Sequence, residues 1–143
     1  MVLRNMMRKK TREISAGAIV YTKIDNEIRY LLIKDFHGNY GFPKGHLEKK
    51  ETEAEAAIRE IKEEVGIDIV LDTDFKEELN YIMPNGIRKT SVYFLGFYDD
   101  QIPEKQLEEV DEILLLDYKQ AMSILTFDNM KEVLLKANEY LLA

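Results

Sequence analysis

Three glutamates, Glu60, Glu63 and Glu64, stand in the stretch GHLEKKETEAEAAIREIKEEVGI that runs from Gly45 to Ile67. On an α-helix, at about 100° per residue, they fall near roughly 0°, 300° and 40°, inside an arc of about 100°. Like charges at i, i+3 and i, i+4 repel by roughly 0.2–0.5 kcal/mol per pair, so this placement works against the helix that carries it. A divalent cation reverses that sign. Oxygen-only ligands suit Mg²⁺, with Mn²⁺ as the second choice, because these ions keep several waters and bridge to substrate phosphates. A chain with no cysteine has no thiolate nucleophile and no cysteine-ligated zinc. The competing reading is a solvated helix face, with Lys49, Lys50, Arg59 and Lys62 near enough to neutralise the acids. Glu53 and Glu55 are read that way, as surface or cap.

The elements around the glutamates must hold them in place. Thr-Glu-Ala-Glu from Thr52 fits a capping box, with the Thr52 hydroxyl accepting from the Glu55 amide while the Glu55 side chain reaches back. Ala54, Ala57, Ile58, Ile61 and Val65 recur at helical spacing, and Gly66 supplies the stop, so the pattern predicts a helix over about 52–64. Ahead of it, Ile14–Thr22 and Glu27–Asp35 read as a hairpin turned at Asp25-Asn26. The segment DFHGNYGFPK reads as loop, with at most a short strand around Tyr40-Gly41-Phe42. Beyond the helix come Asp68–Leu71, then Phe75–Met83 and Lys89–Tyr98 as a second hairpin across Pro84-Asn85-Gly86. Ile113–Leu116 reads as a buried strand, Asp117 as the cap of a short helix, and Asp128 as the cap of a last one whose Met130, Val133, Leu134, Ala137 and Leu141 face the core. The order predicts a mixed sheet between helices, of α/β class.

The chain is 143 residues long with a formal net charge of −7, 45% apolar and 33% charged residues. That size predicts one core and no separate module. No run of eighteen apolar residues is present, and the basic start MVLRNMMRKK lacks the apolar region of a secretory signal, so a cytoplasmic protein without membrane association is expected. The acidic balance argues against a general nucleic-acid binder, and no protein partner is implied. An anionic substrate would need a metal ion or a locally basic cleft.

The spacing from Gly45 is glycine, five residues, Glu51, seven residues, Arg59-Glu60, an apolar residue, one residue, Glu63-Glu64, one residue, Gly66 and apolar Ile67. This resembles the complete signature of the Nudix hydrolases, and seven fixed identities coincide by chance with a frequency on the order of 10⁻⁸ per starting position. The resemblance implies an α/β/α sandwich, residues 1–143 forming one Nudix domain, and hydrolysis of a nucleoside diphosphate linked to another group with Mg²⁺ or Mn²⁺. It implies that Glu60, Glu63 and Glu64 hold metal together with the peptide carbonyl of Lys44. Arg59 and Glu51 would pair to orient the helix, and Gly45 and Gly66 would permit the tight turns at its ends. Family members differ in the residue that serves as base. Here Glu64 and Glu60 are the motif candidates, and Glu109, flanked by Glu108 and Glu112, is the best candidate from a later loop.

The run GFPKGH, Gly41 to His46, resembles the start of the motif in the asymmetric diadenosine tetraphosphate hydrolases, and Lys44 and His46 would add donors for a long polyphosphate. His37, in a loop without matching context, is read as surface. Tyr81 and Lys89 match that subfamily's hairpin, where a tyrosine stacks on the nucleobase and a lysine contacts phosphate. Phe127 would close the other face of the base, while Tyr40 and Phe42 are read as packing. The leading expectation is a small nucleotide substrate, diadenosine tetraphosphate, split to ATP and AMP. A pyrophosphohydrolase acting on RNA 5′ ends, nucleotide sugars or inositol polyphosphates is the alternative; the first favours a more basic surface, and the last more often shows Gly-Gly-Gly where Pro43-Lys44-Gly45-His46 stands. A non-catalytic Nudix sensor is a third reading, though such domains commonly lose motif acids and this chain has lost none.

Overall fold

The structure, a computed structural model, describes residues 12–106 and 108–143. The basic start MVLRNMMRKK and Leu107 lie outside the described residues. Strand β1 (Arg12–Ile24) is central. Along one edge it pairs in parallel with β6 (Arg88–Phe97), from Arg12↔Arg88 to Tyr21↔Phe97. Its other edge is shared. Tyr21–Ile24 pairs antiparallel with β2 (Glu27–Asp35) across the Asp25-Asn26 turn, whose two residues both have positive φ, 51° and 66°. That is the geometry of a two-residue hairpin matched to strand twist.

Past that pairing β1 and β2 part, and the segment that reads as loop in the sequence enters the opening. Tyr40–Gly41 pairs with β2 as β3, and Lys44–His46 pairs with Ser15–Gly17 of β1 as β4. Backbone groups inside a sheet must find partners, which turns a glycine- and proline-containing stretch into two short strands. The separate strands expected at 68–71 and 75–83 are one, β5 (Val70–Ile82), with an irregularity between Asp72 and Glu77 against β6. Strand β7 (Val110–Leu116) lies on the far edge of β2.

Alternation along β1 sorts the core into two layers. Ala16, Ala18 and Val20 face helix α1 (Glu53–Val65), where Ala56, Ala57, Ile61 and Val65 are buried. Ile19, with Tyr30, Leu32, Tyr93 and Leu95, faces α2 (Tyr118–Ile124) and α3 (Asp128–Leu142), which contribute Ala121, Met130, Val133, Leu134 and Ala137. Fully buried Ile61 and Val65 each contribute about 1.5–3 kcal/mol, enough to fix the roll of α1 about its axis. Thr52 makes the expected capping box, and Gly66 closes α1 at φ 73°. Asp117 caps α2 through the Gln120 amide, but Asp128 is not a cap. Phe127 holds the cap position of α3 without a side-chain hydrogen bond, and Asp128 is the first helical residue, with Lys131 4.0 Å away. Among the described residues no helix is long and apolar enough to cross a membrane.

Candidate active site

The roll of α1 grades its acids from core to water. Proceeding around the helix from buried Ile61, Glu64 is 8% exposed, the Glu60 side chain 14% and the Glu63 side chain 47%. Arg59 gathers the outer acids. Its Nε donates to Glu51 Oε2 at 2.6 Å and its Nη2 to Glu51 Oε1 at 2.8 Å. Nη1 donates to Glu60 Oε1 at 2.8 Å and to Glu63 Oε2 at 3.1 Å, and Nη2 also reaches the His46 carbonyl at 3.0 Å. Glu51 Oε1 accepts from the Glu48 amide as well, at 2.9 Å. These bonds, the Arg59 guanidinium first, hold the Glu51 carboxyl down at about 2. Arg59 in turn is held charged, its own pKa raised chiefly by Glu51.

Glu64 lies in the opposite situation. Its Oε2 is buried with no hydrogen-bond partner. Burial, and then the charges of Glu60, Glu109 and Glu63, push its carboxyl up to about 8 against a weaker opposing pull from Lys44. Lys44 Nζ donates to Ser91 Oγ at 3.1 Å. Glu109 is exposed in the turn before β7, yet its charge reaches Glu64. The loop leading toward it is strapped to the end of α1 by Glu104 N–H donating to Val65 O at 2.9 Å and Gln106 N–H donating to Glu64 O at 3.0 Å. Gly45 serves a purpose other than a turn. A Cβ there would fall inside the Glu60 carboxylate, so glycine is what lets that group lie against the β4 backbone.

On the α2–α3 side of the sheet a cavity of about 510 Å³ is lined by Tyr40, Lys44, Tyr81, Tyr93, Phe127 and Met130, among others. Tyr81 and Phe127, distant in sequence, share its wall, and Lys44 belongs both to this wall and to the surroundings of Glu64. Phe42 also lines the cavity and is packed into the core, and half-buried Tyr40, another lining residue, packs against the same core as expected. His46 and Lys89 lie elsewhere, brought together by one oxygen of Glu13: Nε2 of His46 is 3.4 Å and Nζ of Lys89 3.5 Å from Glu13 Oε2. His37 is exposed. Sequence reasoning missed Glu13, Ser91 and Tyr93. A polar residue at a buried alternate position of a strand, as Ser91 is, was the available signal.

The chain matches the NUDIX domain over residues 11–137 and belongs to the Nudix family. It is a Nudix hydrolase of phosphoanhydrides, similar to asymmetrical bis(5′-nucleosyl)-tetraphosphatases. The enzyme of that name from pig (Sus scrofa) is 33% identical over 126 residues, covering 83% of this chain and 85% of the relative. The RNA pyrophosphohydrolase of Nitratiruptor sp. is 27% identical, covering 85% of this chain and 88% of its own length. Among solved structures, the binary complex of the C. elegans Ap4A hydrolase superposes with a TM-score of 0.83 at 27% identity, covering 90% of this chain and 97% of that one.

Members of the family typically use a divalent metal, and the residues here fit one. Glu64 offers an unpartnered oxygen, Glu60 rests on the glycine that makes room for it, and the donor set is oxygen. Among the described residues no three acidic or imidazole groups already close around one point. Such an open set suits an ion that keeps waters and shares its ligands with substrate phosphates.

Proposed function

We propose that this enzyme hydrolyses a dinucleoside tetraphosphate, diadenosine tetraphosphate by preference, to ATP and AMP, with Mg²⁺ as cofactor and Mn²⁺ as a substitute. The observation that carries the reading is the aromatic cavity whose wall includes Lys44, the lysine whose charge also acts on Glu64 of the carboxylate helix. Tyr81 and Phe127 grip the base, stacking being worth about 1–3 kcal/mol per base. Lys44, His46 and Lys89 neutralise the phosphate chain. Glu60, Glu63, Glu64 and the Lys44 carbonyl hold the metal, while the Arg59–Glu51 pair fixes the direction of the carboxylates. When bound, the ion withdraws charge from the phosphate oxygens and makes water a stronger nucleophile. The water oxygen forms a bond to phosphorus, the bridging P–O bond breaks, and the oxygen that leaves stays with the departing nucleotide. With the metal on one Glu64 oxygen holding that carboxyl ionised, its second oxygen would take the water's proton, and Glu109 would tune it through their mutual repulsion.

Support for a small substrate over RNA comes from the net charge of −7. The test is anion-exchange analysis after incubation with diadenosine tetraphosphate and Mg²⁺ in ¹⁸O water. ATP plus AMP is the expected product pair. No turnover in a buffer where triphosphate-ended RNA or a nucleotide sugar is cleaved would sink the substrate and leave the Nudix chemistry standing.

A further inference from the structure

The parallel β1–β6 register sets Glu13 beside Lys89 and Ser15 beside Ser91, and the β1–β4 pairing sets His46 beside Ser15 and Lys44 beside Gly17. Residues paired across a ladder, and residues two apart along a strand, share a face of the sheet. Lys44, His46, Lys89, Ser15 and Ser91 therefore lie on one face, which is also the face of Tyr81, opposite Lys89, and of Tyr93, beside Gly17. The bond from Lys44 Nζ to Ser91 Oγ, at 3.1 Å, follows from that placement. Into this group of donors β1 sends a carboxylate. Glu13 Oε2 lies 3.4 Å from His46 Nε2 and 3.5 Å from Lys89 Nζ. Among the described residues no other carboxylate is within ion-pair distance of either group. One carboxylate oxygen thus stands where donors from β4 and β6 converge, as an oxygen of a bound phosphate would.

We infer that Glu13 is an internal counter-ion of the phosphate site, one that a polyphosphate must displace to reach Lys89 and His46, and that it thereby sets the site's affinity for phosphate. Before a phosphate oxygen can contact Lys89, the ion pair with Glu13 has to open, and the carboxylate left nearby repels the phosphate. Both effects weaken binding. The side chains of Glu13 and Lys89 are 34% and 32% exposed, so water screens the pair, and the penalty is that of a surface ion pair, a factor of roughly two to five. A Glu13 that merely anchored the two donors would act with the opposite sign, since its loss would loosen them and weaken phosphate binding. This inference rests on the reading of His46 and Lys89 as phosphate contacts, and its test is divided so that the two stand or fall separately.

The first arm needs no turnover. Inorganic tripolyphosphate is titrated calorimetrically into the wild-type protein, E13Q, K89Q and the double variant, with EDTA present to keep divalent ions out. Glutamine keeps the size of glutamate and removes only its charge. E13Q should bind roughly two- to fivefold more tightly than wild type and K89Q more weakly, and the gain from E13Q should be smaller when Lys89 is already gone. Unchanged or weaker binding by E13Q, with K89Q weakened, would overturn the counter-ion and keep Lys89 as a phosphate contact. Unchanged binding by K89Q would remove Lys89 from the phosphate site and the counter-ion with it. A gain as large without Lys89 as with it would show a general charge effect and overturn the competition. The second arm is steady-state kinetics on diadenosine tetraphosphate with Mg²⁺, where E13Q should lower KM by the same factor and leave kcat nearly unchanged. A raised KM or a lowered kcat would make Glu13 an anchor and overturn the proposal. Tighter tripolyphosphate binding by E13Q, with no cleavage of diadenosine tetraphosphate even by wild type, would retain the counter-ion and remove the proposed substrate.

Discussion

The two ends of helix α1 treat their carboxylates in opposite ways. At its start Glu51 meets a guanidinium in two-pronged contact and a backbone amide besides, and its carboxyl is held down at about 2. At its end Glu64 is buried with an unpartnered oxygen, surrounded by three other acids, and pushed up to about 8. The first arrangement is finished, since every strong donor and acceptor has its partner. The second is incomplete without a positive charge. A folded protein tolerates such a group only when the rest of the structure holds it there, as the buried Ile61 and Val65 on the neighbouring face do. The start of the helix is therefore scaffold and the end is chemistry.

The sharpest break of that contrast is Glu64→Gln. Losing both the ionisable oxygen and a metal ligand should lower kcat by about 10²–10⁴-fold, with the far-ultraviolet circular dichroism unchanged. Glu109→Gln, which removes only a neighbouring charge, should cost much less. A larger loss for Glu109→Gln than for Glu64→Gln would move the proton acceptor to the loop. Next in size is Arg59→Ala, which leaves Glu51, Glu60 and Glu63 without their common partner. Activity should fall roughly 10–100-fold together with Tm, and raising Mg²⁺ should recover part of the Tm. Activity retained in Arg59→Ala would show that the pair does not orient the site. Arg59→Lys should resemble the alanine change, because an ammonium lacks the fork that Glu51 grips.

How much of this was legible follows from where the residues sit in the chain. The whole of the carboxylate system except Glu109 lies between Lys44 and Gly66, so its geometry is local: helix period, capping box and closing glycine all follow from neighbours three or four positions apart. The cavity is assembled from β2, β3, β4, β5, β6 and the start of α3, which meet only because β1 pairs in parallel with β6 and because β3–β4 fills the gap beside β2. Strand sequences carry an inward and an outward face but not the identity of their partners. Tyr81 and Lys89 were reached through a resemblance and Phe127 through its place in the loop before the last helix, while Glu13 and Ser91, whose roles depend on register, were not reached. The Asp128 expectation failed for a local reason, since an acid opening a helical run serves equally as cap or as first residue.

The same division predicts a different phenotype for the cavity wall. Tyr81→Ala and Phe127→Ala touch neither end of α1, so they should raise KM by roughly tenfold through lost stacking while kcat holds within a few-fold. A fall in kcat with KM unchanged would mean that these rings shape the reacting centre rather than grip the base. Steady-state kinetics on diadenosine tetraphosphate decides it.

The smallest effect is the most direct reading of the contrast, because stability alone reports it. Glu64 titrates near 8 in the fold against an ordinary 4.5, so the folded state holds its proton more tightly. Its contribution is present below about 4.5 and is lost as pH rises toward 8. Glu51 titrates near 2 in the fold, so its contribution is full above 4.5 and is lost as pH falls toward 2. Glu55, lowered by its capping bonds to Thr52, acts in the same sense as Glu51. In EDTA the Tm difference between Glu64→Gln and wild type should thus grow in the mutant's favour from pH 5 to pH 8, by a few degrees. Glu51→Gln should lose to wild type across that range and converge with it in acid. Mg²⁺ supplies the charge that Glu64 lacks, so adding it should shrink the first difference without touching the second. If the metal instead stabilises both mutants equally, it binds away from the carboxyl-terminal end of α1, and the contrast between the two ends loses its chemical meaning.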